Sequence, residues 1–118
     1  MQFIEYPKCT TCQKAKKWLI ENNINYEDRN IITNNPTKEE LNRWIKDFNI
    51  PIKKLFNTSG LKYKELKLKD KRKIMTTEEQ LSLLATDGML IKRPILVGEN
   101  FILIGFKEKE WMEILCMN

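Results

Sequence analysis

Two cysteines three residues apart, Cys9 and Cys12, stand where a short apolar alternation gives way to a helical pattern. Before them, Phe3 and Ile4 lie among polar neighbours over residues 2–6, as in a short strand. After them, Ala15, Trp18 and Leu19 fall at i, i+3 and i+4 between Thr10 and about Asn22, the stripe of an amphipathic helix. A chain that leaves a strand, turns through Tyr6-Pro7-Lys8 and starts a helix at a cysteine must bury that stripe somewhere. The simplest partner is the face of a sheet containing the strand it has just left.

The remaining pattern supplies that sheet. Residues 24–32 read as a second strand through Ile24, Tyr26, Ile31 and Ile32. Pro36 and Thr37, with Glu40 three residues after Thr37, form a capping box that opens a helix carrying Leu41, Trp44, Ile45 and Phe48 on one face. Pro51 interrupts, and residues 52–56 predict a short turn or helix ending at Asn57-Thr58-Ser59-Gly60. Thr76 or Thr77 caps a further helix, with Glu79 and Gln80 as capping partners, running to a stop at Asp87-Gly88. Two β-rich runs, 94–97 and 101–104, flank Gly98-Glu99-Asn100 with hairpin spacing, and 107–115 reads as a closing helix through Trp111, Ile114 and Leu115. The order is β-α-β, a helical stretch of about 55 residues, then β-β-α. With Cys-x-x-Cys opening the first helix, this is an α/β, thioredoxin-like arrangement with an inserted helical lobe, about 36–90, between its halves. At 118 residues the expectation is a single domain.

Composition narrows what the cysteines do. The chain is 42% hydrophobic and 31% charged, which excludes disordered and fibrous classes. It lacks the run of roughly 20 apolar residues that a membrane span needs. Strand-like sequence follows Met1 directly, with no room for a signal peptide, so a cytoplasmic, reducing setting is expected. There a structural disulfide is disfavoured. Zinc needs four ligands, and Cys9, Cys12 and Cys116 give at most three sulfurs in a chain without histidine, so no metal is expected. The missing histidine also excludes Ser-His-Asp and Cys-His catalysis.

A thiol attacks as thiolate, and an ordinary pKa of about 8.5 leaves only a few per cent ionised at neutral pH. Cys9 falls at the helix start, where free backbone N–H groups and the helix dipole favour an anion, with Lys8, Lys14 and Arg93 as candidate cations. Cys12 lies one turn on, on the same face, spaced to attack a mixed disulfide on Cys9. Two small buried cysteines in a helix start would give the same spacing. The expectation is that Cys9 is the nucleophile and Cys12 the resolving thiol, while Cys116, two residues from the end of the sequence, is incidental. Arg93-Pro94 opens the hairpin; in thioredoxin-like folds a cis-proline there faces the redox cysteine, and Arg93 is placed to hold an oxyanion or steady a thiolate.

The net charge of +5 is equally localised. Residues 62–73 hold seven basic side chains (Lys62, Lys64, Lys67, Lys69, Lys71, Arg72 and Lys73) against Glu65 and Asp70, which accounts for the whole excess. Such a segment is either a solvated face of a short helix and loop or a docking patch. Little arginine and one nearby aromatic, Tyr63, argue against direct nucleic-acid reading.

Four blocks, YPKCTTCQKAKKWL (6–19), LFNTSGLKYKELKLKDK (55–71), EEQLSLLATDGMLIKRPILV (78–97) and IGFKEKEW (104–111), make the chain resemble the ArsC/Spx family over essentially its whole length. The family comprises arsenate reductases, small ArsC-like bacterial proteins and Spx-type regulators of RNA polymerase. The resemblance implies a thioredoxin-like core with a helical lobe and Cys9 as the reactive cysteine, with Arg93 as the arginine ahead of the cis-proline. Enteric-type arsenate reductases place a histidine where this chain has Glu5, and two further oxyanion arginines where it has Asn57 or Ser59 and a position near Phe106. Each missing arginine forfeits a charge-assisted contact to a dianion worth about 1.5–3 kcal/mol, so arsenate is expected to be a poor substrate. Glu5, if close to Cys9, would repel a thiolate. Cys12 replaces a non-thiol residue of the enteric enzymes and supplies internal resolution. The function implied is a thiol–disulfide oxidoreductase of arsenate reductase type. It would need no bound cofactor, its electrons coming from thioredoxin, glutaredoxin or a small thiol such as glutathione. The alternative is a redox-switched regulator that grips the RNA polymerase α subunit, with the 62–73 patch as a docking surface.

Overall fold

The computed structural model describes residues 1–116, which divide into two compact units: residues 1–30 together with the segment from Arg93 on, and residues 31–92. The first unit is built on four strands, β1 (Gln2–Glu5), β2 (Glu27–Asn30), β3 (Ile95–Val97) and β4 (Ile102–Ile104), in the order β2-β1-β3-β4. β1 runs parallel to β2, and such a pair needs a crossover, which α1 (Thr10–Glu21) provides. β1 is antiparallel to β3, and β3 to β4 through the hairpin the sequence predicts.

The register explains the core. Phe3 stands opposite Leu96, and Leu96 opposite Leu103, so three adjacent strands present one apolar row. Against it pack Ala15, Trp18 and Leu19 of α1 and Trp111 of α6 (Glu108–Cys116), all buried. The Trp111 ring stands perpendicular to Phe106 at 5.0 Å and to Trp18 at 6.2 Å, and its indole N–H donates to the Gly105 carbonyl at 3.0 Å. That carbonyl is presented by a backbone at φ 75°, which glycine adopts without steric cost.

The second unit is helical. α2 (Lys38–Phe48) begins with the expected capping box: Thr37 Oγ1 accepts from the Glu40 N–H at 3.1 Å, and Glu40 Oε1 from the Thr37 N–H at 3.0 Å. A 3₁₀ turn over Ile52–Leu55 follows, then α3 (Leu61–Glu65), α4 (Leu68–Lys71) and a second 3₁₀ turn, Arg72–Ile74. α5 (Thr77–Leu84) carries the second capping box, on Thr76 and Glu79. Its side chain Glu78 pairs with Lys38 of α2. None of the described helices is long and apolar enough to cross a membrane.

The thioredoxin-like α/β class expected from the sequence holds, with two local differences. The second strand is only Glu27–Asn30; Ile31 and Ile32 lie in a turn. Ile31 is fully buried there, its backbone so close to Gly88 that any Cβ at residue 88 would clash with the Ile31 carbonyl. Its apolar character serves the helical unit, although alternation alone assigns it to the strand. The basic segment is two short helices broken at Lys67, whose φ of 55° terminates the first.

Candidate functional site

The three residues singled out as site candidates lie in the first unit. The turn after β1 is closed by the Cys9 N–H donating to the Tyr6 carbonyl at 2.9 Å, with Pro7 inside it, where its fixed φ suits a turn. Gln13 ties the turn to the helix, its side-chain amide donating to the Pro7 carbonyl at 2.9 Å and its N–H to the Cys9 carbonyl at 3.0 Å. Cys9 is therefore the N-cap of α1, with extended φ and ψ, and Cys12 is the third helical residue, one turn on. Both are free thiols; Cys9 is half-buried and Cys12 fully buried. Cys116 is exposed on α6.

Burial alone would raise the Cys9 pKa, yet the net direction is downward. The backbone N–H and the thiol of Cys12, together with the charge and hydrogen bonding of the Arg93 guanidinium, outweigh burial. The side chain falls short of an ordinary capping hydrogen bond, but the N-terminal donors still favour the anion. Cys12 moves the other way, pushed up to about 12, first by burial and then by the neighbouring Cys9 sulfur. Two thiols one turn apart are thus shifted in opposite directions, Cys9 toward the thiolate and Cys12 toward the thiol. Lys8 and Lys14, expected to help, project into solvent; the cation that acts on Cys9 is Arg93.

Arg93 precedes Pro94 across a cis peptide bond. Its guanidinium carbon lies 5.4 Å from the centre of the Tyr6 ring, within cation–π range. Nε and Nη1 are buried and have no hydrogen-bond partner among the described residues. Tyr6 carried no signal in the sequence; its role as the platform under Arg93 depends on strand β1 and the Arg93-Pro94 turn being neighbours.

Glu5 is paired with a cation of α1. It is 2% exposed at the end of β1, with Lys16 Nζ of α1 at 2.6 Å from its Oε2 and 3.2 Å from Asp28 of β2. Burial raises the Glu5 pKa, and sharing with Asp28 raises it further, while Lys16 opposes both. Among the described residues no group of three or more cysteines, aspartates and glutamates is gathered as metal ligands would be.

The ArsC family model matches residues 4–114. The chain is 48% identical to YusI of Bacillus subtilis, an uncharacterised protein, over 96% of both chains. It is 32% identical to the regulatory protein MgsR of the same organism, over 97% of this chain and 89% of that one. Among solved structures, an ArsC family related protein from Bacteroides fragilis superposes with a TM-score of 0.91 at 59% identity, covering 96% of this chain and 95% of that one. The helix-capping Cys-x-x-Cys, the four-stranded sheet and the match over almost the full described length agree: this chain belongs to the ArsC family.

Proposed function

We propose that the protein is a thiol–disulfide oxidoreductase of arsenate reductase type, with Cys9 as nucleophile and Cys12 as resolving thiol. The observation that carries this reading is the placement of two free thiols one turn apart at one helix start, the half-buried Cys9 at the N-cap and the buried Cys12 behind it. The Cys9 thiolate attacks one sulfur of a substrate disulfide; a Cys9–substrate disulfide forms and the other sulfur leaves as thiolate. Cys9 then carries no negative charge, so the part of the Cys12 pKa elevation that comes from Cys9 disappears. Cys12 loses its proton more readily, attacks the Cys9 sulfur and expels the second substrate thiol. The substrate gains two electrons, and the protein holds a Cys9–Cys12 disulfide. An external dithiol or two small thiols return the two electrons. Arg93 balances the charge of the Cys9 thiolate before attack and offers its unpaired Nε and Nη1 to an anionic group next to it.

Steady-state reduction of hydroxyethyl disulfide, with thioredoxin or glutaredoxin supplying electrons, tests this. Turnover with at least one donor is the expected result, with arsenate a weak acceptor. No turnover with either donor, together with no intramolecular disulfide after mild oxidation, would reject it. The similarity to MgsR supports a second reading, a redox-switched regulator. That reading predicts oxidant-dependent retention of the RNA polymerase α subunit's C-terminal domain and no need for turnover.

A further inference from the structure

The excess positive charge of residues 62–73 is organised by the fold. Each short element of the segment turns one residue inward and leaves lysines on either side of it exposed. Tyr63 is buried, 5% exposed and 5.9 Å from Phe56, between exposed Lys62 and Lys64. Leu68 is buried between exposed Lys67 and Lys69, and Arg72 is half-buried between exposed Lys71 and Lys73. Arg72, although basic, belongs to the interior side: its Nε donates to the Tyr63 hydroxyl at 3.2 Å, Nη1 to Gln80 Oε1 at 3.4 Å, and its guanidinium carbon lies 5.1 Å from the Phe56 ring centre. What faces water is six lysines with two acidic neighbours, of which only Asp70 approaches a lysine of the segment, Lys73, at 3.9 Å. The ends of the segment are bounded by aliphatic side chains in the open, Leu61 at 78% and Ile74 at 86% exposed.

From this we infer that the 61–74 face is a docking surface for an acidic protein segment that also carries aliphatic side chains. The charge requires a partner of opposite sign. The choice among acidic partners follows from what the face lacks and what it adds. The segment exposes no aromatic ring on which a base could stack, and its arginine is already engaged, so the groups that usually read nucleic acid are absent. Interfacial membrane helices bury tryptophan, phenylalanine or leucine on a continuous stripe, whereas here two aliphatics stand at opposite ends of the segment. Lysine ammoniums are mobile point charges suited to carboxylates at several positions, and Leu61 and Ile74 gain only from a partner with apolar side chains of its own. The inference is independent of the chemistry at Cys9.

The test uses the full chain and three probes of matched charge: a fluorescent peptide alternating glutamate with leucine and isoleucine, a duplex DNA oligonucleotide, and phosphatidylserine vesicles. The peptide is expected to bind about tenfold more tightly than either alternative, and to weaken several-fold between 50 and 300 mM salt as screening shortens the reach of the lysines. Replacing all six lysines, Lys62→Gln through Lys73→Gln, should cost at least tenfold, whereas Lys17→Gln, Lys46→Gln and Lys109→Gln, exposed elsewhere, should leave binding within twofold. Leu61→Ser with Ile74→Ser should weaken the leucine-bearing peptide and leave polyglutamate unchanged. Tighter binding of DNA or vesicles by the unmodified chain would overturn the inference. So would equal losses in the two sets of lysine variants, or indifference to both the lysine and the aliphatic substitutions.

Discussion

Cys9→Ser should lower disulfide reduction by about 10⁴-fold or more, because a serine hydroxyl stays protonated at neutral pH and its adduct with sulfur is not an intermediate of the exchange. Cys12→Ser should behave differently. Attack by Cys9 remains, so one substrate thiol is released per protein, and the reaction halts at the mixed disulfide for want of a second sulfur. Mass spectrometry after a single addition of a small disulfide distinguishes them: no adduct for Cys9→Ser, one adduct on Cys9 for Cys12→Ser, an intramolecular disulfide in the unaltered protein. Cys116→Ser, on the exposed face of α6, should leave all three patterns in place. An adduct on Cys12 in the Cys9→Ser protein, formed at the unaltered rate, would reverse the assignment of the two thiols.

The second large effect is on stability. Lys16→Ala removes the cation that opposes the desolvation of Glu5 and leaves a carboxylate 2% exposed. Breaking a fully buried pair costs 3–5 kcal/mol; with Lys16 about a third open to water, screening reduces the expected loss to about 2 kcal/mol at pH 7, or about 8 °C in Tm. The pH dependence has a definite sign. Glu5 has a raised folded-state pKa, so its contribution to stability is fully present below the unfolded carboxyl value and is lost as pH rises through the raised one. Lys16→Ala raises that pKa further. The deficit relative to the unaltered protein therefore grows as pH rises through the raised Glu5 values and shrinks towards zero in acid, where protonated Glu5 needs no cation. Urea melts of both proteins across this range measure it; a pH-independent difference would mean that Lys16 acts through packing alone.

Several elements were legible because their signals are local. Both capping boxes, the hairpin around Gly98-Glu99-Asn100 and the amphipathic stripe of α1 depend on neighbours within four residues, and each appears where the spacing puts it. The position of Cys9 at the N-cap and of Cys12 on the first turn is of this kind. Arg93 beside Cys9 is not, since it requires β3 to lie next to β1; the thioredoxin-like order of elements supplied it, and spacing near Cys9 did not. The same reason hid the Glu5, Lys16 and Asp28 cluster, whose members come from two strands and a helix. Charged residues on strands that short read as surface until the third element is placed over them. Ile31 misled for the opposite reason, because burial in a turn and burial in a strand leave the same mark in a sequence. Arg72 was counted with the exposed charge because nothing local shows that Phe56, Tyr63 and Gln80 receive it.

The helix start and Arg93 together lower the pKa of the Cys9 thiol below its ordinary value, which raises the thiolate fraction at neutral pH. Alkylation of Cys9 by iodoacetamide, followed by peptide mass spectrometry from pH 4 to 10, tests it directly. The expected midpoint lies below the ordinary thiol value of about 8.5 and moves upward in Arg93→Ala. A midpoint at or above that value, unmoved by the loss of Arg93, would contradict it.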